Sequence, residues 1–189
     1  MKIHPRLIGF DIDGVVADTM EAFIRLARQD YGAAVLPEQI TEFQVEECLD
    51  MDPVAVGEIF ARLLSVPVES GLRLMPHAKR VLTEFSGMGP LSFITARPEK
   101  EPVARWLATE LGSKVYARVR LEATGEHDGK GEFINALGLQ YFVDDRAQTC
   151  EQLSRQGINS IVFSQPWNRG KHNLPSVESW LSIREMCLA

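Results

Sequence analysis

Cysteine and histidine are scarce in this chain. Its 189 residues include three cysteines and four histidines. Cys48, Cys150 and Cys187 lie far apart without forming a Cys-x-x-Cys pair, and the histidines follow no metal-ligand spacing. The composition therefore argues against a disulfide framework and a histidine metal site, and it is typical of a protein with reduced, partly buried thiols.

Long apolar runs and clusters of basic residues are also missing. No stretch approaches the roughly 20 apolar residues of a membrane-spanning helix, and the first residues lead into a strand instead of a signal peptide. The formal net charge of −6 argues against a protein that coats nucleic acid. We expect a cytoplasmic protein that binds neither a membrane nor a nucleic-acid polymer, and assembly into a homo-oligomer stays open.

Apolar runs alternate with helical patterns along most of the chain. Of its residues, 45% are hydrophobic, which suits one compact domain with a small insert. Because repeated strand–helix units form a parallel sheet covered by helices, the sequence predicts an α/β fold: a Rossmann-like parallel sheet flanked by helices on both faces. Strands are predicted at 7–10, 91–95, 141–143 and 160–163, with a short one inside 115–121 and a C-terminal helix over 177–187.

Residues 17–76 interrupt this alternation. They hold two amphipathic helical patterns, the first capped by Asp18 and the second opened by Pro53, but no strand pattern. A connection of this length is too long for a single crossover between two strands. We therefore predict a catalytic core of residues 1–16 and 77–189 and a small helical cap of residues 17–76, inserted after the first strand.

Two acidic residues, Asp11 and Asp13, come directly after the first predicted strand. Two neighbouring buried carboxylates repel each other unless a cation or a shared proton offsets their charge. Ligands of open parallel sheets bind just beyond the carboxyl ends of the strands, where these acids would lie. The pair therefore indicates a metal-dependent site, with an Asx turn before a helix as the alternative interpretation.

Further polar groups are predicted at the same edge of the sheet. Thr95 ends the second strand, Asp144 and Asp145 end a later one, and Lys130 begins the helix before it. Each alone has an ordinary explanation, as a helix cap, a turn or a surface lysine, but together they would converge on the first acidic pair. Phosphoryl transfer needs such a set: a carboxylate nucleophile, a second carboxylate for proton transfer, oxygen ligands for Mg²⁺, and a hydroxyl and an ammonium for the phosphate oxygens.

Four short motifs resemble those of the haloacid dehalogenase superfamily of phosphatases. The first is Phe-Asp-Ile-Asp-Gly-Val-Val at 10–16, and the second is Phe-Ile-Thr-Ala-Arg at 93–97. Lys130 fits the third motif, and Phe-Val-Asp-Asp-Arg at 142–146 fits the fourth. The resemblance implies the parallel-sheet core of that superfamily, with the helical insert as a cap placed between the first two motifs.

The resemblance also implies roles for the site residues. Asp11 would be the nucleophile and Asp13 the general acid and base, with Thr95 and Lys130 completing the catalytic set. Backbone amides near Asp13 and after Thr95 would add donors to the phosphate. The expected substrate contacts are Thr95, Ala96, Arg97 and Lys130. Arg97 departs from the mammalian pattern and would pair with a second anionic group, with a surface arginine beside Pro98 as the alternative interpretation.

Mg²⁺ is the cofactor that the resemblance implies. Its ligands would be Asp11, the main-chain carbonyl of Asp13, and the acidic pair Asp144 and Asp145. Asp145 would bind the ion more directly, and for Asp144 direct and water-mediated binding both stay open. The partner of such a site would be a small phosphorylated metabolite.

Within the superfamily, the chain is most similar to the 5'(3')-deoxyribonucleotidase group. The similar segments are 13–18, 32–43, 144–146, 166–169 and 179–180. Thr19 stands where that group carries an aromatic residue, and Phe43-Gln44 stands where it carries Phe-Trp. The resemblance thus implies a Mg²⁺-dependent phosphomonoester hydrolase that forms an aspartyl-phosphate, with a 5'-nucleotide as one substrate class. A sugar-phosphate phosphatase, a phosphomutase and a non-catalytic phosphate-binding module stay as alternatives.

Overall fold

The computed structural model describes residues 2–188 of the chain. Within them, six parallel strands form one sheet in the order β3-β2-β1-β4-β5-β6. The strand order reverses at β1, which lies between β2 and β4, and such a reversal opens a crevice at the carboxyl ends of the strands. The predicted α/β class is confirmed. The strands are β1 (Ile8–Phe10), β2 (Leu91–Thr95), β3 (Val119–Ala123), β4 (Tyr141–Asp144), β5 (Asn159–Phe163) and β6 (Ser176–Val177).

Helices flank this sheet and also form the insert after β1. The two helices of the insert pack on each other, with the rings of Phe23 and Phe60 stacked at 5.1 Å between centroids. No helix among residues 2–188 combines the length and the apolar character needed to cross a membrane. The helices are α1 (Thr19–Tyr31), α2 (Pro53–Ser65), α3 (Ala78–Ser86), α4 (Lys100–Leu111), α5 (Ser113–Tyr116), α6 (Lys130–Ala136), α7 (Ala147–Arg155) and α8 (Trp180–Cys187).

The ends of α1 and α2 follow from local sequence. The Asp18 carboxylate accepts a hydrogen bond from the Glu21 amide, and helix α1 ends at Gly32 with a left-handed φ of 67°. Asp52 accepts from the Val54 amide at 2.9 Å, with Pro53 at the first helical position. Both predicted helix starts are confirmed, because the capping side chains satisfy amides that have no partner inside the helix.

A buried tryptophan fixes the loop that follows β1. The Trp180 indole packs against Phe10 with the two rings tilted, 4.9 Å between centroids, and its Nε1 donates to the Val15 carbonyl at 2.8 Å. Both aromatic side chains are almost fully buried, as is every residue of β1 and β2. The buried core therefore fixes the backbone of the first motif, and the polar side chains of that motif lie at the edge of the sheet.

Two predicted element starts are wrong, and one strand runs past its predicted limits. Leu7 ends a 3-10 helix instead of starting β1. The short strand predicted inside 115–121 is β3, which begins within those limits at Val119 and continues beyond them to Ala123. Val177 belongs to β6 instead of the C-terminal helix, because the Ser164 amide donates to its carbonyl at 2.7 Å and joins it to the sheet. Helix α8 starts three residues later, after Ser179, whose hydroxyl accepts from the Ser182 amide.

Candidate active site

The predicted convergence of acids at the sheet edge is present in the structure. Phe10 pairs with Phe93 of β2 and Val143 of β4, so the residues that follow these strands lie side by side. Carboxylate oxygens of three buried residues approach one another to within 4.8 Å. These residues are Asp11, Asp144 and Asp145, and Thr95 lies buried at the end of the neighbouring strand β2.

Lys130 lies buried between two of these carboxylates. It is 1% exposed, and its Nζ lies 2.9 Å from Asp11 Oδ1 and 2.7 Å from Asp144 Oδ2. Burial alone would lower the pKa of Lys130, but the two carboxylates outweigh burial and raise it above its ordinary value. Lys130 is therefore a fixed ammonium that lies against Asp11 and Asp144, and its catalytic role stays a prediction.

The acidic cluster carries more negative charge than Lys130 balances. Burial raises the pKa of Asp11 to about 7, with Lys130 opposing this effect and Asp144 adding to it. Burial, followed by repulsion from Asp144 and Asp11, also raises the pKa of Asp145 well above its ordinary value. Although Lys130 forms an ion pair with Asp11 Oδ1, this buried oxygen has no hydrogen-bond partner of good geometry. Three carboxylates against one ammonium, with an unsatisfied oxygen, suit a divalent cation with oxygen ligands.

Asp144 and Asp145 are held differently. Asp144 uses one carboxylate oxygen for Lys130 and the other to accept from the Arg146 amide at 2.8 Å. Asp145 instead lies against Gly14, where a Cβ would stand only 2.1 Å from its Oδ2. Because both Asp144 oxygens are engaged by the chain, Asp145 is the better candidate for direct contact with a metal.

The loop after β5 holds the backbone of Asp145 through hydrogen bonds. The Asn168 side chain is 3% exposed and donates to the carbonyls of Asp145 and Phe163 at 2.7 and 2.8 Å. Gln165 donates from its side chain to the Gly14 carbonyl at 2.6 Å. The run Pro-Trp-Asn-Arg at 166–169 marks this loop in the sequence, but no pattern distinguishes Gln165 as a contact of the first motif.

Asp13 is paired with Arg97. The Nε and Nη2 atoms of Arg97 donate to the two Asp13 oxygens at 2.9 and 2.8 Å, and the Thr19 hydroxyl donates to Oδ1 at 2.7 Å. Burial would raise the pKa of Asp13, but Arg97 and then Thr19 outweigh it and lower the pKa. Arg97, expected from the sequence to face a second anionic group of the substrate, is thus occupied by a carboxylate of the chain itself.

A cleft of about 320 Å³ opens between these residues and the helices of the insert after β1. Asp13, Gly14, Ala96 and Asp145 line its polar end, and Asp11, Thr95 and Lys130 lie buried outside the lining. Its other walls are largely apolar and include Phe43, Phe60, Leu63 and Trp167. Phe43 also approaches the His127 ring edge-on and the Arg146 guanidinium, each at 5.6 Å.

Comparisons with known proteins indicate the family of the chain. The family model described as "5' nucleotidase, deoxy (Pyrimidine), cytosolic type C protein" matches residues 5–189. A Bacillus cereus protein named "Putative nucleotidase" is 25% identical over 185 residues, covering 94% of this chain and 96% of that one. A similarly named Oceanobacillus iheyensis protein is 21% identical over 182 residues, covering 91% and 94%.

Solved structures share the fold. A haloacid dehalogenase-like family hydrolase from Streptococcus pneumoniae aligns with a TM-score of 0.61 at 14% identity, covering 93% of this chain and 95% of that one. A subfamily IA hydrolase of the same superfamily from Geobacter sulfurreducens aligns with a TM-score of 0.57 at 15% identity, covering 94% of each. Because the family match extends over nearly the whole chain, this protein belongs to the cytosolic type C 5' nucleotidase family, a group of hydrolases with the haloacid dehalogenase-like fold.

Proposed function

We propose that this protein is a Mg²⁺-dependent 5'-nucleotidase that works through an aspartyl-phosphate on Asp11. The observation that carries the proposal is the buried cluster of Asp11, Asp144 and Asp145 around Lys130, at the edge where the strand order reverses. Such a cluster of buried like charges costs stability, so it points to a function that needs it.

The residues of the cluster fit a magnesium ion. Asp11 and Asp145 would hold it through carboxylate oxygens and Asp13 through its main-chain carbonyl, whereas Asp144 is engaged by Lys130. When bound, Mg²⁺ would neutralise charge on the phosphate oxygens and orient the phosphoryl group. The donor set consists of oxygens alone, which is the ligand type that this ion prefers.

In the first proposed step, the Asp11 carboxylate attacks phosphorus and the bond to the leaving oxygen breaks. Because Asp13 is ionised beside Arg97 before substrate binds, it would first take up the proton of the phosphomonoester monoanion and then pass it to that oxygen, so that the nucleoside leaves as an alcohol. Lys130 and the Thr95 hydroxyl would hold the transferring phosphate oxygens. In the second step, water attacks the phosphorus of the aspartyl-phosphate, Asp13 takes the proton of the water, and Asp11 is released with inorganic phosphate.

The cleft supports a nucleoside as the leaving group. Its apolar walls, with Phe43, Phe60 and Trp167, suit the flat faces of a base better than a sugar that carries hydroxyls on every side. Its volume of about 320 Å³ is within the usual range for small-molecule sites. The family description and the names of the two relatives agree with this substrate class.

A phosphate-release assay with nucleoside 5'-monophosphates, sugar phosphates and a sugar bisphosphate tests the proposal. We expect release from the nucleotides with Mg²⁺, loss of activity with chelator, and no detectable turnover by Asp11→Asn. Asp13→Asn should slow the second step, so that mass spectrometry detects one phosphoryl group on Asp11. Near-normal turnover by Asp11→Asn would rule out the assigned nucleophile, and transfer between sugar positions without net release would indicate a phosphomutase instead.

A further inference from the structure

Arg97 touches both the cap and the acid–base carboxylate. The side chain is 3% exposed, and two of its guanidinium nitrogens donate to Asp13 at 2.9 and 2.8 Å. The third, Nη1, donates to the main-chain carbonyl of Leu63 in α2 at 3.1 Å. All three donors belong to one rigid plane, so Arg97 cannot follow a movement of α2 without changing its contact with Asp13.

Helix α2 depends on this contact because of its sequence. The Leu63 carbonyl lies in the last turn, and its ordinary helical donor would be the amide four residues later. That residue is Pro67, which has no N–H. Arg97 therefore supplies a donor that the helix lacks, and it places a positive charge at the helix C-terminus, where a cation is favourable.

On the core side, the backbone of Arg97 is held in place. Its amide donates to the Thr95 hydroxyl at 3.3 Å, and its carbonyl accepts from the Gly125 amide at 3.3 Å. Since the backbone is tied to the end of β2, the guanidinium links a fixed point of the core to the cap. Asp13, Arg97 and Leu63 all line the cleft, so a bound substrate lies next to this link.

We propose that Arg97 is a positioning residue that couples the place of α2 to the orientation of the Asp13 carboxylate. The proposal rests on the proposed function in one respect, namely that Asp13 exchanges protons with the leaving group and with water. A cap seated on the substrate keeps the Leu63 contact and thereby holds Asp13 in one orientation. Coupling of this kind is reciprocal, so loosening Asp13 also loosens α2.

The kinetic test replaces the fork-shaped guanidinium. Arg97→Met keeps the apolar stem but removes all three donors, and we expect kcat to fall by about 100-fold, as for a misplaced catalytic group, with KM changed much less. Arg97→Lys keeps the charge without the fork, so it should recover little of the lost kcat. Unchanged kcat in Arg97→Met, or full recovery by Arg97→Lys, would overturn the proposal.

The structural test measures amide hydrogen exchange in the peptide covering 53–65, and it does not depend on activity. Asp13→Asn puts an NH₂ group against the guanidinium, so we expect the last turn of α2 to exchange at least about fivefold faster. Unchanged exchange in Asp13→Asn would refute the coupling. This test still applies if Arg97→Met does not fold. If the wild type hydrolyses no phosphate ester but exchange still responds, the proposed function fails while the coupling stands.

Arg105→Met is the matched control. Arg105 in α4 also joins the core to the cap segment, through an ion pair with Glu69 at 2.8 Å, but both side chains are half exposed and neither touches Asp13. We expect this variant to keep the wild-type kcat and the wild-type exchange of α2. A loss of kcat equal to that of Arg97→Met would mean that any cap contact has this effect, which contradicts a specific role for Arg97.

Discussion

Gly14 is the residue that allows Asp145 to approach the loop after β1. Its φ of 70° is left-handed, and a Cβ there would lie 2.1 Å from Asp145 Oδ2. Gly14→Ala therefore adds backbone strain of about 1–2 kcal/mol and also displaces the carboxylate that we assign to the metal. We expect Mg²⁺ affinity, measured by isothermal titration calorimetry, to fall by at least about tenfold, as when a supporting residue of a metal site is lost.

Gly32 provides the control for strain alone. Its φ of 67° is nearly the same, but nothing lies within 4 Å of a Cβ built there. Gly32→Ala should lower the melting temperature through the same strain and leave Mg²⁺ affinity unchanged. Equal Mg²⁺ affinities for wild type, Gly14→Ala and Gly32→Ala would contradict the assignment of Asp145 as a ligand.

Single residues differ in how far the sequence reveals them. Asp11 and Asp145 could be predicted, because an acid directly after an apolar strand has a definite place in a parallel sheet. The bond between Asp13 and Arg97 could not, because the two residues are 84 positions apart and a surface arginine looks the same in sequence. Lys130 is indicated only by its interval along the chain, and its burial between two carboxylates is visible only in three dimensions.

At the scale of elements, the loop after β5 supports the site through Asn168. Its amide bridges the Asp145 and Phe163 carbonyls, and its own carbonyl oxygen accepts from the Gln165 amide at 3.0 Å. Asn168→Ala leaves these buried groups unpaired, so we expect a loss of about 1–3 kcal/mol in the free energy of unfolding. The kcat should fall as well, because Asp145 loses its support. Urea unfolding and steady-state kinetics measure the two effects.

Asn159→Ala is the corresponding surface change. Asn159 is exposed and donates a single side-chain hydrogen bond to the Gln140 carbonyl at 3.1 Å. We expect the unfolding free energy of the Asn159→Ala variant to change by only about 0.5 kcal/mol, with kcat unaffected. If Asn168→Ala were no more harmful than Asn159→Ala in both measurements, the loop would have no supporting role.

The elements also show where sequence patterns stop being informative. Helix α2 could be predicted, because Asp52 and Pro53 are typical of a helix start and the residues that follow have apolar side chains at helical spacing. Strand β6 has only two residues, Ser176 and Val177, which is too short for an alternating pattern, and it exists because β5 offers a free edge. Helix α5 has one turn and lies directly after Gly112, so its four residues carry no helical period of their own.

For the whole molecule, the class of fold was predictable and the cap was predictable in part. Repeated strand–helix units require a parallel sheet, and the structure has six such strands among residues 2–188. The division into a core of 1–16 and 77–189 and a cap of 17–76 stays a prediction. The cleft between the two could not be derived, since its shape depends on how α1 and α2 pack against the core.

The acidic cluster also affects the stability of the whole molecule. The pKa of Asp11 is raised from 3.8 to about 7, so the folded metal-free protein keeps a proton that the unfolded chain has already released. The resulting stabilisation is fully present below pH 3.8 and is lost as pH rises through about 7. Asp145 is shifted in the same direction. With chelator present, the free energy of unfolding should therefore fall as pH rises, by up to about 1.4 kcal/mol per pH unit for each proton that Asp11 and Asp145 release.

Bound Mg²⁺ should reverse this trend, because it binds the ionised carboxylates. Urea unfolding at pH 5 to 8 measures the difference in unfolding free energy between excess Mg²⁺ and chelator. We expect this difference to be small at pH 5 and to grow towards pH 8. His127, whose pKa burial lowers, has the opposite slope below its ordinary value of 6.5 and contributes to the pH dependence under both conditions. Asp145→Asn removes one carboxylate. The unfolding free energy of this variant should therefore depend less on pH with chelator and should increase little with Mg²⁺. A gain that does not depend on pH, or one that survives in Asp145→Asn, would show that the ion stabilises the fold from another place.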